Sequence, residues 1–400
     1  MKRLYVFLAL VFISLLYSCA PKQVAKCPAG ETEQQYVAGM TALEKEDHAT
    51  AIQKFERAVF CDEKFSKAHS GMAIAYAVRA SKQEDPKFRQ VEAQRVEEHL
   101  GKAKKLIANP EDEFDHKLAI IRAYTLVQPK DWLQKAEDAY KDALKLKVDE
   151  KKLSYYRGVE AVHYFMGVAY MTAYEFSKAR DSFQKVLGAK RDSKWHEPAD
   201  KAWKRVDRIA RAMGGISIGD VAKRIAVKDR ISRADLAALL VIEVKIDRLL
   251  AGRIPVQSQV ERMQAEFIPA DILNHPFRQE ITTLLKWKVR GLEPQYDQTT
   301  KAYLFKPDGA VTRGEMALIL EDILIKLTGD ESLARAYLGH ERSPFPDVRP
   351  TAPIYNAVMN VTTRGLMEPE LSGEFNPGKP VDGAEAILAI RVLKQRMNIN

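Results

Sequence analysis

Apolar residues recur at helical spacing over a large part of the chain. From near Glu31 to about Leu187 the sequence is rich in Ala, Leu, Lys, Glu, Tyr and Phe and shows almost no alternation of apolar and polar β-branched residues. Apolar positions three and four residues apart form one face of a helix, whereas a half-buried strand needs a period of two. The pattern predicts a succession of amphipathic helices, preceded by a polar tether with two prolines at residues 19–30.

These helices repeat. A glycine, an alanine 12 residues later and a phenylalanine four residues further on occur twice, as Gly39, Ala51 and Phe55 and as Gly167, Ala179 and Phe183. The small residues are positions at which two helices can approach, and the phenylalanine fills the gap to the next pair. Weaker copies contain Ala119, Ala123, Ala136, Tyr140 and Ala143, and Ala68, Gly71, Tyr76, Val96, Leu100 and Ala103.

This repeat resembles the tetratricopeptide family, whose unit of about 34 residues is a helix–turn–helix. The resemblance implies a helical-hairpin solenoid over residues 31–190 that binds a protein partner on its concave face. Six tyrosines in the third and fourth units either form a recognition surface or pack between repeats, and their helical spacing favours packing. They are Tyr124, Tyr155, Tyr156, Tyr164, Tyr170 and Tyr174.

A different repeat occupies residues 198–400, with copies at about 198–250, 265–327 and 345–397. In the second and third copies an aromatic-x-Pro sequence, an aliphatic residue and an acidic residue recur in register. The third copy begins with Phe345-Pro346-Asp347-Val348. The later motifs are Phe375-Asn376-Pro377 with Val381-Asp382-Gly383-Ala384-Glu385, Phe305-Lys306-Pro307 with Val311-Thr312-Arg313-Gly314-Glu315, and, in a degenerate first copy, Ile225 with Ile231-Ser232-Arg233-Ala234-Asp235.

These motifs resemble the S-layer homology family of cell-wall-binding modules. Three copies assemble into one pseudo-threefold domain in that family, so the resemblance implies a helical three-repeat domain here. The predicted fold is therefore all-α, a tetratricopeptide-like solenoid followed by an S-layer-homology-like domain.

Helix capping explains six residues of the motif that opens the second helix of each copy. The first of each pair is a good N-cap residue and the second is acidic, three positions on, which is the capping-box spacing. An acidic residue in the first turn also interacts favourably with the helix dipole. The pairs are Ser232 with Asp235, Thr312 with Glu315, and Asp382 with Glu385.

The arginine of the same motif is not required by a cap. In the family it helps line grooves that hold acidic glycan, and a guanidinium suits a carboxylate through paired hydrogen bonds. Arg233 and Arg313 are therefore candidate glycan-binding residues, with surface salt bridging as the alternative, while Gly383 replaces the arginine in the third copy. Asp347 is a further candidate, or a loop acceptor. Trp287 either packs in its helix or stacks on a sugar ring.

The start of the chain has the pattern of a secretion signal. Lys2 and Arg3 precede an apolar run from Leu4 to Leu16 that is too short to span a bilayer. The sequence Leu16-Tyr17-Ser18-Cys19 resembles the bacterial lipobox, so residues 1–18 are predicted to be a lipoprotein signal peptide and Cys19 the lipidated residue. Ala20, where an aspartate would direct retention at the inner membrane in that family, points to the periplasm-facing side of a Gram-negative outer membrane.

The other two cysteines, Cys27 and Cys61, either form a disulfide in an oxidising periplasm or remain free thiols. The eight histidines show no spacing typical of metal ligands. We therefore expect neither a metal nor a cofactor.

Composition and charge narrow the classes of function. Four hundred residues favour two or three domains, and 46% hydrophobic with 29% charged residues is typical of globular proteins. The net charge of +9 is spread along the chain rather than clustered with aromatics, which argues against a nucleic-acid partner. No nucleophile–base motif, carboxylate pair or phosphate loop occurs in the sequence, so we expect no enzyme.

Two hypotheses follow. In the first, the lipid attaches to the outer membrane, the C-terminal repeats bind peptidoglycan or an acidic cell-wall glycan, and the solenoid recruits a protein. In the second, the C-terminal repeats are only structural, and the chain is an assembly or scaffold lipoprotein of a secretion, envelope or polysaccharide-export complex.

Overall fold

The structure is a computed structural model that describes residues 27–189, 193–214, 218–254 and 257–398. The predicted signal peptide, Cys19 and most of the tether lie outside the described residues. The chain is 62% helical, with 17 helices and one two-stranded sheet in its described part, so the all-α prediction is confirmed as a mostly α fold. A helical solenoid is consistent with it. The small sheet was not predicted.

The described residues divide into two compact units. One comprises the residues up to Ala173 together with Ser182–Ala199, and the other comprises Tyr174–Asp181 together with Asp200 onward. We call the first unit the array and the second the C-terminal unit.

The array is built from helical hairpins. The first helices of successive hairpins, α1, α3, α5 and α7, pack side by side in chain order. Local signals start several helices: the Asp47 side chain accepts a hydrogen bond from the N–H of Thr50, and Asn109 caps a helix that begins with a proline. The helices are α1 (Glu31–Glu44), α2 (His48–Cys61), α3 (Ser66–Lys82), α4 (Pro86–Lys105), α5 (Pro110–Val127), α6 (Trp132–Ala143), α7 (Glu160–Thr172) and α8 (Phe176–Leu187), whose residues are shared between the units.

Glycines face phenylalanine rings where the helices of the array meet. A Cβ built on Gly39 or Gly71 would lie 2.5 or 2.4 Å from the ring of Phe55, and one built on Gly167 would lie 2.6 Å from the ring of Phe183. All other residues have a Cβ, so only glycine permits these approaches. The phenylalanines are fully buried, and the two glycine–phenylalanine pairs that the sequence repeats, Gly39 with Phe55 and Gly167 with Phe183, are in contact.

The helices of the C-terminal unit differ in length, from six residues in Arg233–Ala238 to 16 in Arg313–Thr328. Among its described residues, one hairpin pairs Tyr296 with Tyr303 across two antiparallel strands. A π-helical turn, Leu239–Glu243, extends α11. The elements are α9 (His196–Met213, of which the first four residues belong to the array), α10 (Asp220–Ala226), α11 (Arg233–Ala238), α12 (Ile246–Ala251), α13 (Gln257–Arg262), α14 (Arg278–Lys286), β1 (Gln295–Asp297), β2 (Ala302–Leu304), α15 (Arg313–Thr328), α16 (Tyr355–Thr363) and α17 (Gly383–Arg396).

Candidate functional site

Three backbone hydrogen bonds join the copies of the C-terminal repeat in a ring. The N–H of Ile231 donates to the carbonyl of Val381 at 2.9 Å, that of Val381 donates to Val311 at 2.9 Å, and that of Val311 donates to Ile231 at 3.1 Å. Each bond leaves one copy and ends on another, so the three equivalent positions close a pseudo-threefold arrangement. Each of these aliphatic residues directly precedes the N-cap residue of α11, α15 or α17.

The predicted cap residues lie at the starts of these helices. Ser232 and Asp235 form a reciprocal capping box, with N···O distances of 3.1 and 2.9 Å. Thr312 and Glu315 form the second box. Asp382 accepts a hydrogen bond from the N–H of Glu385 at 3.0 Å, but here the acidic side chain does not return to the cap.

Arg233 is buried between the first and second copies, with 5% of its surface exposed. Its Nε donates to the carbonyl of Phe305 at 2.8 Å, and its two terminal nitrogens donate to the carbonyls of Gly291 and Glu293 at 3.0 and 2.9 Å. The guanidinium carbon also lies 4.8 Å from the centre of the Phe305 ring. Burial lowers the pKa of Arg233 from its usual value. This side chain fixes loops of the second copy.

Arg313 repeats the arrangement between the second and third copies. Its Nε and one terminal nitrogen each donate at 2.7 Å, to the carbonyls of Phe375 and Glu368. Its other terminal nitrogen pairs with the carboxylate of Glu385, which explains why that residue does not complete a capping box. Burial raises the pKa of the Glu385 carboxyl, although the neighbouring guanidinium acts in the opposite direction.

Gly383 occupies the arginine position of the third copy because the first copy leaves no room there. A Cβ at this position would lie 1.9 Å from the carbonyl oxygen of Ile225 and 2.8 Å from the Cα of Ala226. Ile225 stands where Phe305 and Phe375 stand in the other copies. The backbone that an arginine would bond therefore lies against the glycine itself.

Asp347 and Trp287 also make contacts within the fold. The carboxylate of Asp347 accepts the N–H groups of Phe375 and Asn376 at 2.9 and 2.6 Å, although the residue itself is exposed. Asp271 does the same for Phe305 and Lys306 in the second copy. Trp287 is buried, and its Nε1 donates to Asp247 at 2.6 Å.

The four candidate glycan-binding residues all make contacts within the fold, which for Asp347 and Trp287 is the alternative that the sequence analysis gave. Three are buried, and the polar groups of all four bond within the fold: Arg233, Arg313, Asp347 and Trp287. Arg313 pairs with a carboxylate, but in the buried interior rather than at the surface. Direct contact of these residues with a glycan stays a prediction.

An exposed group of aromatic residues lies beside the contact that Arg233 makes between the first and second copies. The sequence analysis did not identify it. Phe267, Tyr296 and Tyr303 are 45%, 46% and 56% exposed. The rings of Phe267 and Tyr303 lie 6.2 Å apart, and those of Tyr296 and Tyr303 lie 5.3 Å apart. We call these three residues the aromatic patch. The alternation of Tyr296 with Asp297, and of Tyr303 with Leu304, is a strand signal too short to read reliably.

A pocket of about 340 Å³ adjoins the aromatic patch. Phe267 lines it together with Leu285, Val289 and Pro294, while Glu266, Lys288 and Glu293 supply charged groups. Glu266 and Lys288 form an exposed ion pair. Small-molecule sites are typically apolar pockets of this size with a few polar groups.

In the array, the segment between α6 and α7 covers the face formed by the first helices. We call residues 144–159 the strap. Leu153, Tyr155 and Tyr156 of the strap are at most 2% exposed. Of the six tyrosines that the sequence analysis singled out, these two are therefore packed inside the array.

The strap bonds to the first helices of three hairpins. Towards α1, Ser154 pairs with Glu33 and the Tyr155 hydroxyl donates to Glu44 at 2.8 Å. Towards α3, Lys67 donates to the carbonyl of Lys152 at 3.4 Å. Towards α5, Glu111 accepts the N–H of Asp149 at 2.7 Å, and Arg122 donates to the hydroxyl of Tyr156 at 3.3 Å.

Ionisable groups are buried in this part of the array. The Tyr36 hydroxyl donates to Asp115 at 3.0 Å, and the Lys67 amine lies 3.9 Å from the same carboxyl group. Burial raises the pKa of Asp115 to about 7, against the effect of Lys67. Burial also lowers the pKa of His99 and of His116 to about 4.

Cys27 and Cys61 form a disulfide, with their Cα atoms 5.4 Å apart. The bond joins the segment before α1 to the end of α2. Together with Glu31 they would make a cluster of potential metal ligands, but bonded sulfurs offer no thiolate to a metal.

Comparison with known proteins identifies one domain. The model of the S-layer homology domain family matches residues 344–387, which include the loop of Asp347 and the cap of α17. The domain indicates attachment to the cell wall or envelope. No curated protein and no solved structure matched the chain. Within the described ranges, no helix has the length and apolarity needed to cross a membrane.

Proposed function

We propose that this chain is a non-catalytic, lipid-anchored envelope protein that attaches to peptidoglycan or a cell-wall glycan through its C-terminal unit. The observation that carries the proposal is the S-layer homology domain at residues 344–387. The ring of hydrogen bonds among Ile231, Val311 and Val381 supports it, because the matched copy then belongs to a three-copy assembly.

The membrane end of the proposal rests on the sequence. An apolar segment followed by Cys19 favours acylation, and Ala20 favours an outer-membrane location facing the periplasm. Several acyl chains on one cysteine hold a protein stably, whereas a single chain gives only marginal attachment. The chain would then connect the membrane to the wall.

The array is proposed to bind a protein partner. The strap already fills the face of the first helices, so that partner either displaces the strap or uses the second helices. Catalysis is not part of the proposal, because the sequence contains no motif for a nucleophile, a phosphate loop or a metal site.

Co-sedimentation with isolated sacculi tests the wall attachment. The full chain carrying Cys19→Ser, so that no acyl chain contributes, is mixed with purified Gram-negative sacculi and centrifuged. We expect the chain in the pellet, and its release into the supernatant after digestion of the sacculi with a muramidase. A chain that remains in the supernatant with intact sacculi would contradict the proposal.

A second candidate function is favoured by the buried arginines. Since Arg233 and Arg313 bond to backbone carbonyls between copies, the C-terminal unit also meets the requirements of a purely structural domain. The chain would then be a scaffold lipoprotein of an envelope, secretion or polysaccharide-export complex. Periplasmic crosslinking that recovers one stoichiometric partner through residues 31–190, with no sedimentation on sacculi, would favour this role.

A further inference from the structure

We propose that the aromatic patch and its adjoining pocket bind a saccharide unit of the cell-wall glycan. The inference rests on the proposed wall attachment and names the surface that performs it. It assigns the contact to Phe267, Tyr296 and Tyr303 rather than to the arginines of the cap motifs.

The geometry of the patch distinguishes it from ordinary exposed residues. Single apolar side chains on a surface are common, but contiguous ones mark interaction sites. Here the three rings follow one another at 6.2 and 5.3 Å, and the first of them also lines the pocket. The strand register places Tyr296 directly opposite Tyr303, which holds both rings on one side of the hairpin.

The chemistry of the patch suits a sugar. Aromatic rings carry negative charge on their faces, and the C–H groups of a pyranose ring, which are weakly positive, pack on such faces. The sugar hydroxyls need polar partners close by, and the pocket offers the carboxylates of Glu266 and Glu293. The Lys288 ammonium, which pairs with Glu266, offers a further donor for a sugar hydroxyl. An anionic lipid surface is a poorer match, because the two carboxylates lie beside the rings.

The patch lies next to the contact that Arg233 makes between the first and second copies. Glu293 lines the pocket, while its carbonyl accepts a hydrogen bond from the Arg233 guanidinium at 2.9 Å. Gly291, two residues earlier, accepts the same guanidinium at 3.0 Å. The buried arginine thus bonds to backbone that borders the pocket.

The third copy has no equivalent patch. Its corresponding residues, 365–374, form turns and irregular backbone instead of a hairpin, and the exposed large apolar side chain there is that of Leu371. This difference supplies a matched control, since Leu371 occupies the same loop and its removal takes away exposed apolar surface without touching a pocket.

The test uses sacculus sedimentation at increasing concentrations of the full chain carrying Cys19→Ser. The double substitution Tyr296→Ala with Tyr303→Ala is expected to weaken binding roughly tenfold, because two stacking contacts are lost. Tyr296→Phe with Tyr303→Phe keeps both rings and should bind within about twofold of the parent chain. Leu371→Ala should bind like the parent. Circular dichroism confirms that each variant is folded.

The outcomes separate the two proposals. If the parent chain binds sacculi and the double alanine variant binds equally well, the patch is not the site, while the proposed function stands. If the parent chain does not bind at all, the proposed function itself fails. A loss of sacculus binding in Leu371→Ala as large as that in the double alanine variant would also overturn the inference. So would weaker binding of the double alanine variant, relative to the parent chain, to vesicles of phosphatidylglycerol and phosphatidylethanolamine.

Discussion

The array and the C-terminal unit hold their repeats together by different forces. In the array, the Phe55 ring lies against Gly39 and Gly71, so close van der Waals contact joins the helices. In the C-terminal unit, backbone N–H groups of one copy donate to carbonyls of another, and the guanidinium of Arg233 donates to three more carbonyls. A ring belongs to a side chain, which can be displaced without moving the backbone, whereas the hydrogen bonds between copies are directional and join backbone groups. We therefore expect the contacts between copies in the C-terminal unit to tolerate added side-chain volume less well than the helix contacts of the array.

The largest effect is expected at the joint between the third and first copies. In Gly383→Ala the new Cβ would lie 1.9 Å from the Ile225 carbonyl oxygen, and the atoms around it are backbone. The first and third copies must separate to relieve this overlap, and we expect the free energy of unfolding to fall by more than about 4 kcal/mol. Hydrogen–deuterium exchange should show loss of protection over residues 218–254 and 383–398, with the array unchanged.

Gly378→Ala is the matched control. It lies five residues earlier in the same copy, and a Cβ built there meets no atom within 4 Å. Exchange and thermal unfolding of this variant should match those of the parent chain. Equal tolerance of both substitutions would show that the copies are joined less tightly than the hydrogen-bond ring implies.

The second prediction concerns pH, since the array buries a carboxyl group that titrates. Asp115 keeps its proton up to about pH 7 in the folded chain but loses it near pH 4 when unfolded. The folded state of the parent chain therefore becomes less stable, relative to the unfolded state, as the pH rises from about 4 to 7. Asp115→Asn removes this dependence, so the variant should gain roughly 3 kcal/mol on the parent chain across that range.

Urea unfolding of both chains at several pH values provides the measurement. Half-buried His99 and buried His116 act in the opposite sense, because their low pKa values make the array lose stability as the pH falls from about 6.5 to 4. The difference between the two chains cancels that contribution. A difference that stays constant from pH 4 to pH 8 would show that Asp115 ionises alike in both states.

The smallest effect is expected from volume added to the array. In Gly167→Ala the Cβ would lie 2.6 Å from the Phe183 ring, so a buried side chain has to be displaced, but no backbone atom lies among its nearest neighbours. We expect the free energy of unfolding, measured with urea, to fall by about 2 kcal/mol. Gly101→Ala is the control in helix α4, where a Cβ meets no atom within 4 Å and alanine should stabilise by about 0.5–1 kcal/mol. A cost at Gly167 as large as that at Gly383 would remove the distinction between the units.

Features that depend on near neighbours in sequence were predictable. Ser232 with Asp235 and Thr312 with Glu315 are three residues apart, so the sequence predicts their capping boxes directly. Gly167 and Phe183 lie on successive helices, and the repeat that they share with Gly39 and Phe55 indicated their contact. The ring among Ile231, Val311 and Val381 was expected only in the general form of a threefold resemblance.

Features that depend on distant contacts were not predictable. Gly383 looked like a lost arginine, but the carbonyl of Ile225, which lies against it, is 158 positions away in the chain. The residue types of Arg233 and Arg313 suggested a ligand, and only the structure shows the carbonyls that surround their guanidinium groups. The aromatic patch needs a hairpin of two three-residue strands, which no periodicity identifies.

The strap has a consequence for any partner of the array. The strap is covalently joined to α6 and α7 at its two ends, so its effective concentration at the first-helix face is on the order of millimolar. A free peptide at micromolar concentration must therefore bind the bare first-helix face about a thousandfold more tightly than the strap to replace it in half of the molecules. The array thus sets an affinity threshold for competitors on that face, and ligands weaker than the threshold leave Tyr155 and Tyr156 where they are.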